Sequence, residues 1–192
     1  MERKRIHTRT IVVEVYDEGD GTISVEGNLE DVQPPESGYW KGDRRPGDKR
    51  PPGILHKMSS KMRIDQKTSE IVATGGDFPG SPYNGCTAVI GWLNKLEGLK
   101  IAPGYSQKSK DLLGGPKGCA HMNTLLQVMA NTKGASGAYF VDKGRGNEEM
   151  KKQLEAMRSY THPAVNSCHM WRMDGPLMQN LKDGKPPIEL DL

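Results

Sequence analysis

The apolar pattern of this chain changes its period once, and that change limits the folds open to it. In "RTIVVEVYD" and "GTISVEGNL" β-branched residues dominate, and "DEGDG" between them carries turn chemistry, so residues 9–29 are predicted to form a β-hairpin. "ILHKMSSKMRID" and "SEIVATGGD", joined at "DQKT", predict a second hairpin. After "GGDFPGSPYNG" the spacing lengthens to that of a helix. Cys86, Val89, Ile90, Leu93 and Leu96 follow an amphipathic pattern that Gly98 closes; Cys119, Met122, Leu125, Leu126 and Met129 repeat it. A third helix is expected over 147–160, where Asn147 can cap and two glutamates suit the helix dipole. Hairpins first and helices afterwards is the order of an α+β fold: an antiparallel sheet of two hairpins from the N-terminal half, covered on one face by three or so helices.

Chain length sets the domain expectation. The 192 residues read as a single α+β domain over 1–165, with a long Pro/Gly/basic loop at 33–53 and a C-terminal tail at 166–192. A loop of that length without apolar periodicity is either a solvated connection or a functional one, a lid whose Tyr39, Trp40, Arg44 and Arg45 close over a ligand. The balance of 27 basic and 24 acidic residues leaves a net charge of only +3, too little to argue for nucleic acid. No apolar run approaches the ~18 residues that a membrane helix needs, and "MERKRIHTRT" lacks the apolar stretch of a signal peptide. A cytoplasmic location, with no membrane partner, is therefore expected. Three widely spaced cysteines read as thiols or ligands and not as a disulfide framework.

Strand alternation selects the first candidate site residues. His7 and Arg9 share parity with Ile11, Val13 and Val15; His56 shares parity with Ile54, Met58, Met62 and Ile64. Two histidines and an arginine thus point inward, where they either satisfy one another in a core or line a cavity. Cys119 follows Gly114, Gly115 and Gly118, whose backbone permits a sharp turn, and opens a helix at the positive end of its dipole; His121 stands two residues on. Cys86 also opens a helix but heads a dense apolar stripe, which suits a structural role. His56, His121 and Cys119 are the candidate catalytic groups. His7, Arg9, Tyr39 and Trp40 are the candidate substrate contacts, with Arg9 suited to a carboxylate. Cys86, Cys119, His56 and His121 are the candidate ligands for zinc or iron. Asp31, Asp65 and Asp77 close strands or turns and read as caps, although Asp31 could orient a nearby histidine. "GRGNEEM" and "LLGGPKG" match no phosphate-binding fingerprint, and Cys168 beside His169 reads as an incidental pair.

The opening "RIHTR", the strand "ILHKM" and above all "LLGGPKGCAHMNTLL" resemble the bacterial family known as domain of unknown function 2889, over roughly residues 3–135. A Gly-Cys-x-His-Leu segment after a double glycine is its hallmark, and this chain carries Met122 where leucine is usual. The resemblance implies that His7, Arg9, His56, Cys86, Cys119 and His121 are motif positions; it implies no activity. The layout of a hairpin, a cysteine opening a helix and a later Cys/His pair is also similar to iron-sulfur cluster assembly scaffolds, although only Cys86, Cys119 and His121 have counterparts there. Two functions from different classes follow. One is a small-molecule enzyme, a lyase or hydrolase with a His/Arg/Cys pocket acting on a carboxylate or aromatic catabolite, with or without a metal. The other is a metal or sulfur carrier without turnover. Either leaves room for a homo-oligomer, and the proline-rich tail and methionine content leave room for a structural role in a larger complex.

Overall fold

The computed structural model describes residues 2–35, 50–51, 53–135, 152, 155–156, 159 and 164–184. The chain divides into two compact units, Met1–Ala135 and Ser136–Leu192. The break between them falls where the helix ending at Ala135 stops. Most of the expected helix at 147–160 and most of the 33–53 loop, with Tyr39, Trp40, Arg44 and Arg45, lie outside the described residues; of the former, 152 and 155–156 are helical.

The first unit is an antiparallel meander with strand order β1-β2-β3-β4: Thr8–Asp17, Thr22–Val32, Ile54–Asp65 and Ile71–Gly80. Both predicted hairpins are present, and alternation decides which face each residue takes. On β2, Ile23, Val25, Gly27, Leu29 and Asp31 point to the buried side while Glu26, Asn28 and Glu30 reach water. On β3, Met58, Met62 and Ile64 join them. Fully burying each of these side chains contributes roughly 1.5–3 kcal/mol, and the sheet cannot do so without a cover.

Helices supply that cover. The first helical segment, Asn84–Leu96, is a 3-10 helix and not the α-helix its spacing predicts. Gly85 and Gly91 and the β-branched Thr87, Val89 and Ile90 are weak α-helix formers, and Val89, Leu93 and Leu96 are buried all the same. Next come α1 (Tyr105–Leu113), a short 3-10 turn (Gly115–Lys117) and α2 (Ala120–Ala135). The apolar stripe of α2 is as predicted, with Met122, Leu125, Leu126 and Met129 all buried, and the helix packs on β1, β2 and β3.

Gly27 shows how α2 lies. A Cβ built there would come within 2.7 Å of Met129 and 2.9 Å of Leu125, so the helix sits where β2 has no side chain. One turn earlier on the same helical face is His121, which meets Asp31 at the end of the same strand face. The span from residue 121 to 129 of a helix is ~12 Å and that from 27 to 31 of a strand is ~13 Å. The helix therefore runs antiparallel along β2, and its N-terminus arrives over Asp31.

Taken by itself, the 164–184 stretch of the second unit holds turns and a short helix α3 (Pro176–Lys182) that buries Leu177, Met178 and Leu181. The tail expected at 166–192 thus contains an ordered amphipathic turn, with Pro176 at its first position where the missing N–H costs nothing. Among the described residues no helix is long and apolar enough to cross a membrane.

Candidate functional site

Register brings the first groups together. Arg9 lies directly opposite Asp31 on β1 and β2, and Asp31 lies directly opposite His56 on β2 and β3. All three share the inward parity, and cross-strand neighbours on one face stand only ~5 Å apart, so their side chains must meet. Arg9 Nε and Nη2 donate to Asp31 Oδ1 and Oδ2, each at 2.7 Å, in the two-pronged geometry that guanidinium and carboxylate share. His56 Nδ1 lies 3.0 Å from Oδ2, and His7 Nε2 lies 3.3 Å from Oδ1. A β-bulge immediately follows: Val32 pairs with Ile54, leaving Leu55 without a residue opposite. Buried Arg50 donates from Nη1 to the Leu55 carbonyl at 2.9 Å and so satisfies it. Bulges re-aim side chains, and this one sits at the point where His56 turns toward Asp31.

The rest arrives with α2. Before the helix, Gly118 occupies a place where a Cβ would collide with the Leu113 carbonyl, so only glycine lets the chain double back after α1. Cys119 then takes the cap position: its carbonyl accepts the first helical hydrogen bond, from Asn123 N–H at 2.9 Å. From there its side chain fans toward the same side as His121, and Sγ lies 3.8 Å from His121 Nδ1. The other nitrogen of that ring, Nε2, stands 3.7 Å from Asp31 Oδ2. His121 also stacks on His56, with ring centroids 3.8 Å apart and planes 29° from parallel.

Electrostatics organise these contacts around one charge. The Asp31 side chain is 1% exposed, and burial alone would raise its pKa, but Arg9 and then His56 more than offset this and hold it at about 2. Burial pushes the pKa of His56 down; Asp31 opposes that push, while Arg9 and Arg50 add to it. Burial likewise lowers His121, helped by His56 and Arg9. Both rings are therefore neutral at neutral pH. An ionised carboxylate only accepts hydrogen bonds, so His56 donates from Nδ1, while the same charge 3.7 Å from His121 Nε2 favours the proton on that nitrogen. His56 is left with a free lone pair on Nε2, and His121 with one on Nδ1, facing Cys119.

Of the sequence-selected residues, His7, Arg9, His56, Cys119 and His121 thus gather around Asp31. The carboxylate that engages Arg9 belongs to the chain itself. Cys86 is half-buried near the start of the 3-10 helix and belongs to no group of three metal-capable side chains among the described residues. Tyr39 and Trp40 lie outside the described residues. Asp31 is the residue that sequence reasoning undervalued, although its parity with Ile23, Val25 and Leu29 marked it as inward. Asp31, His56 and His121 each offer a ligand atom within 4.8 Å of the others'. Those are nitrogen and oxygen donors, unlike the cysteine-rich set that the sequence suggested. An ion held in the plane of both imidazoles would require the rings to splay well beyond 29°.

Residues 7–134 match the family model described as "Protein of unknown function (DUF2889)". No curated protein matches the chain, and no solved structure does.

Proposed function

The chain belongs to the DUF2889 family, and from the geometry of its own residues we propose a cytoplasmic small-molecule enzyme in which His56 and His121 exchange protons with a carboxylate-bearing substrate beside Cys119. One observation carries this reading: four basic side chains converge on a single buried carboxylate without being buried themselves. Asp31 is 1% exposed, whereas the side chains of His56, His121, Arg9 and His7 are 17%, 28%, 37% and 40% exposed. A polar cluster that only satisfied a core would be closed over; this one has a buried floor and an open rim. Arg9 reaches water at that rim, and an exposed guanidinium there favours an anionic ligand such as a carboxylate.

The test is imidazole ¹⁵N NMR of the full chain titrated with acetate and benzoate. Saturable movement of the His56 and His121 resonances is expected, and it should vanish in Arg9→Ala. If neither acid moves either ring, the reading fails.

A second reading, a divalent metal held by Asp31, His56 and His121, is favoured by the close approach of their ligand atoms. Two nitrogens and one carboxylate oxygen suit zinc or iron with open coordination positions, and such an ion would supply a Lewis acid when bound. It would also need lone pairs on the ring nitrogens that face Asp31. Metal analysis of protein purified without added metal separates this reading from the first: stoichiometric zinc or iron supports it, and a metal-free protein that binds benzoate removes it. Stoichiometric metal without any binding of small acids would point to a carrier.

A further inference from the structure

We propose that Cys119 is a covalent nucleophile toward an activated acyl group, with His121 as its base and Asp31 as the residue that positions that base. The inference rests on the Asp31 cluster being an active site, and it adds a reaction class, acyl transfer to water.

The argument runs through three contacts in line. Cys119 Sγ faces His121 Nδ1 at 3.8 Å, and His121 Nε2 faces Asp31 Oδ2 at 3.7 Å. A nucleophile, a base within reach and a third group that orients the base form a recurring constellation, and such contacts tighten when substrate binds. The tautomer is the decisive detail. Asp31 Oδ2 faces Nε2 at 3.7 Å, and its negative charge draws the ring proton to that side, which places the lone pair of His121 on Nδ1, the nitrogen nearest the thiol. Arg9, in its two-pronged pair with Asp31, holds the carboxylate where it faces the ring.

The place of Cys119 adds a second element. It caps α2, a helix of 16 residues, and the N–H groups of residues 120–122 fall in the first turn, where no intrahelical carbonyl is available to them. An oxyanion forming on a carbonyl carbon bonded to Sγ would develop next to those donors and the positive end of the helix. His56 stacks on His121 and offers Nε2 as a second proton carrier on the same side.

The chemistry balances without a redox partner. The Cys119 S–H proton passes to His121 Nδ1 as sulfur attacks the acyl carbon; a C–S bond forms, the bond to the leaving group breaks, and the leaving group takes the proton. Water then attacks the acyl-sulfur carbon with His121 again accepting a proton, the C–S bond breaks, and the thiol is restored as the carboxylic acid departs. The product is an anion that the exposed Arg9 guanidinium can meet.

The test uses the wild-type full chain with p-nitrophenyl acetate at neutral pH, the acetylated cysteine being located by peptide mass spectrometry. Cys168 is exposed and, among the described residues, makes no contact like that of Cys119 with His121, so it is an internal reference for an unassisted thiol in the same molecule. Cys119 is half-buried, yet we expect it to acetylate at least about tenfold faster than Cys168 and to lose the acetyl group on standing. His121→Gln should slow Cys119 by at least about tenfold and leave Cys168 unchanged. Asp31→Asn should do the same and, in imidazole ¹⁵N spectra, abolish the single tautomer of His121. Acetylation of Cys119 no faster than that of Cys168 in the wild type overturns the proposal without any variant having to fold. The benzoate titration, run on the same sample, shows whether the site reading falls with it.

Discussion

Glu30 and Asp31 are neighbours on β2 with the same functional group, and they have opposite fates. Glu30 points to the outer face, where it pairs with Lys57 at 3.1 Å; two residues earlier on that strand's outer side, beyond Asn28, Glu26 pairs with Lys61 at 2.8 Å. Those pairs stand in water and hold lysines that blunt the sheet's open side. Asp31 points inward, is stripped of water and is rebuilt into a network of Arg9, His7, His56 and His121. One residue of strand parity separates a solubility device from a site.

The contrast breaks most visibly at Asp31. Asp31→Ala leaves Arg9 and two neutral histidines around a hole, and removing one member of a buried pair is costly; we expect a loss of about 3 kcal/mol, near the low end because the Arg9 side chain reaches water. Urea unfolding of the full chain measures it, and a loss below about 1 kcal/mol would put Asp31 in the same class as Glu30.

Acid should weaken the inner face in two steps. His56 and His121 lie below their ordinary value of 6.5 when folded, so the unfolded chain takes up protons first, and stability declines as pH falls from about 6.5. Asp31 is held at about 2 against an ordinary 3.8, so its contribution is present above pH 4 and is lost between there and about 2. That second step is worth roughly 2 kcal/mol. Urea midpoints measured from pH 7 to pH 2 should show both steps, and Asp31→Asn should lack the second.

The smallest effect belongs to the outer face. Glu30→Ala should change stability by no more than about 0.5 kcal/mol, and moderate salt should remove most of that. A loss as large as that of Asp31→Ala would show that the outer pairs form a coupled network, and the distinction between the faces would collapse.

Much of this was legible in the sequence. Both hairpins, the buried stripe of α2 and the inward parity of His7, Arg9 and His56 follow from periods of two and of about three and a half residues. Pairing Arg9 with Asp31 could have been counted back from the "DEGDG" turn, since a short hairpin fixes its own register; Asp31 was passed over because it precedes a proline-rich loop and looks like a cap. The register of Asp31 with His56 was not legible. It spans the 33–53 loop and includes a bulge, and neither leaves a period in the sequence. Placement of His121 over His56 depends on how α2 docks, a matter of packing across the sheet. The long run of 3-10 geometry was hidden because apolar spacings of three and four residues serve either helix.

The absent side chain at Gly27 has a mechanical consequence. Helix α2 rests on the sheet like a beam on two bearings, Leu125 and Met129 seated on Gly27 at one end and His121 poised over Asp31 at the other. The bearings are ~12 Å apart along the helix, so any change of height at the first is passed to the second as tilt. Displacing a reacting group by ~1 Å can cost a hundredfold in rate. For the chemistry proposed above, that tolerance would be set by a residue with no functional group, far from any atom that would react.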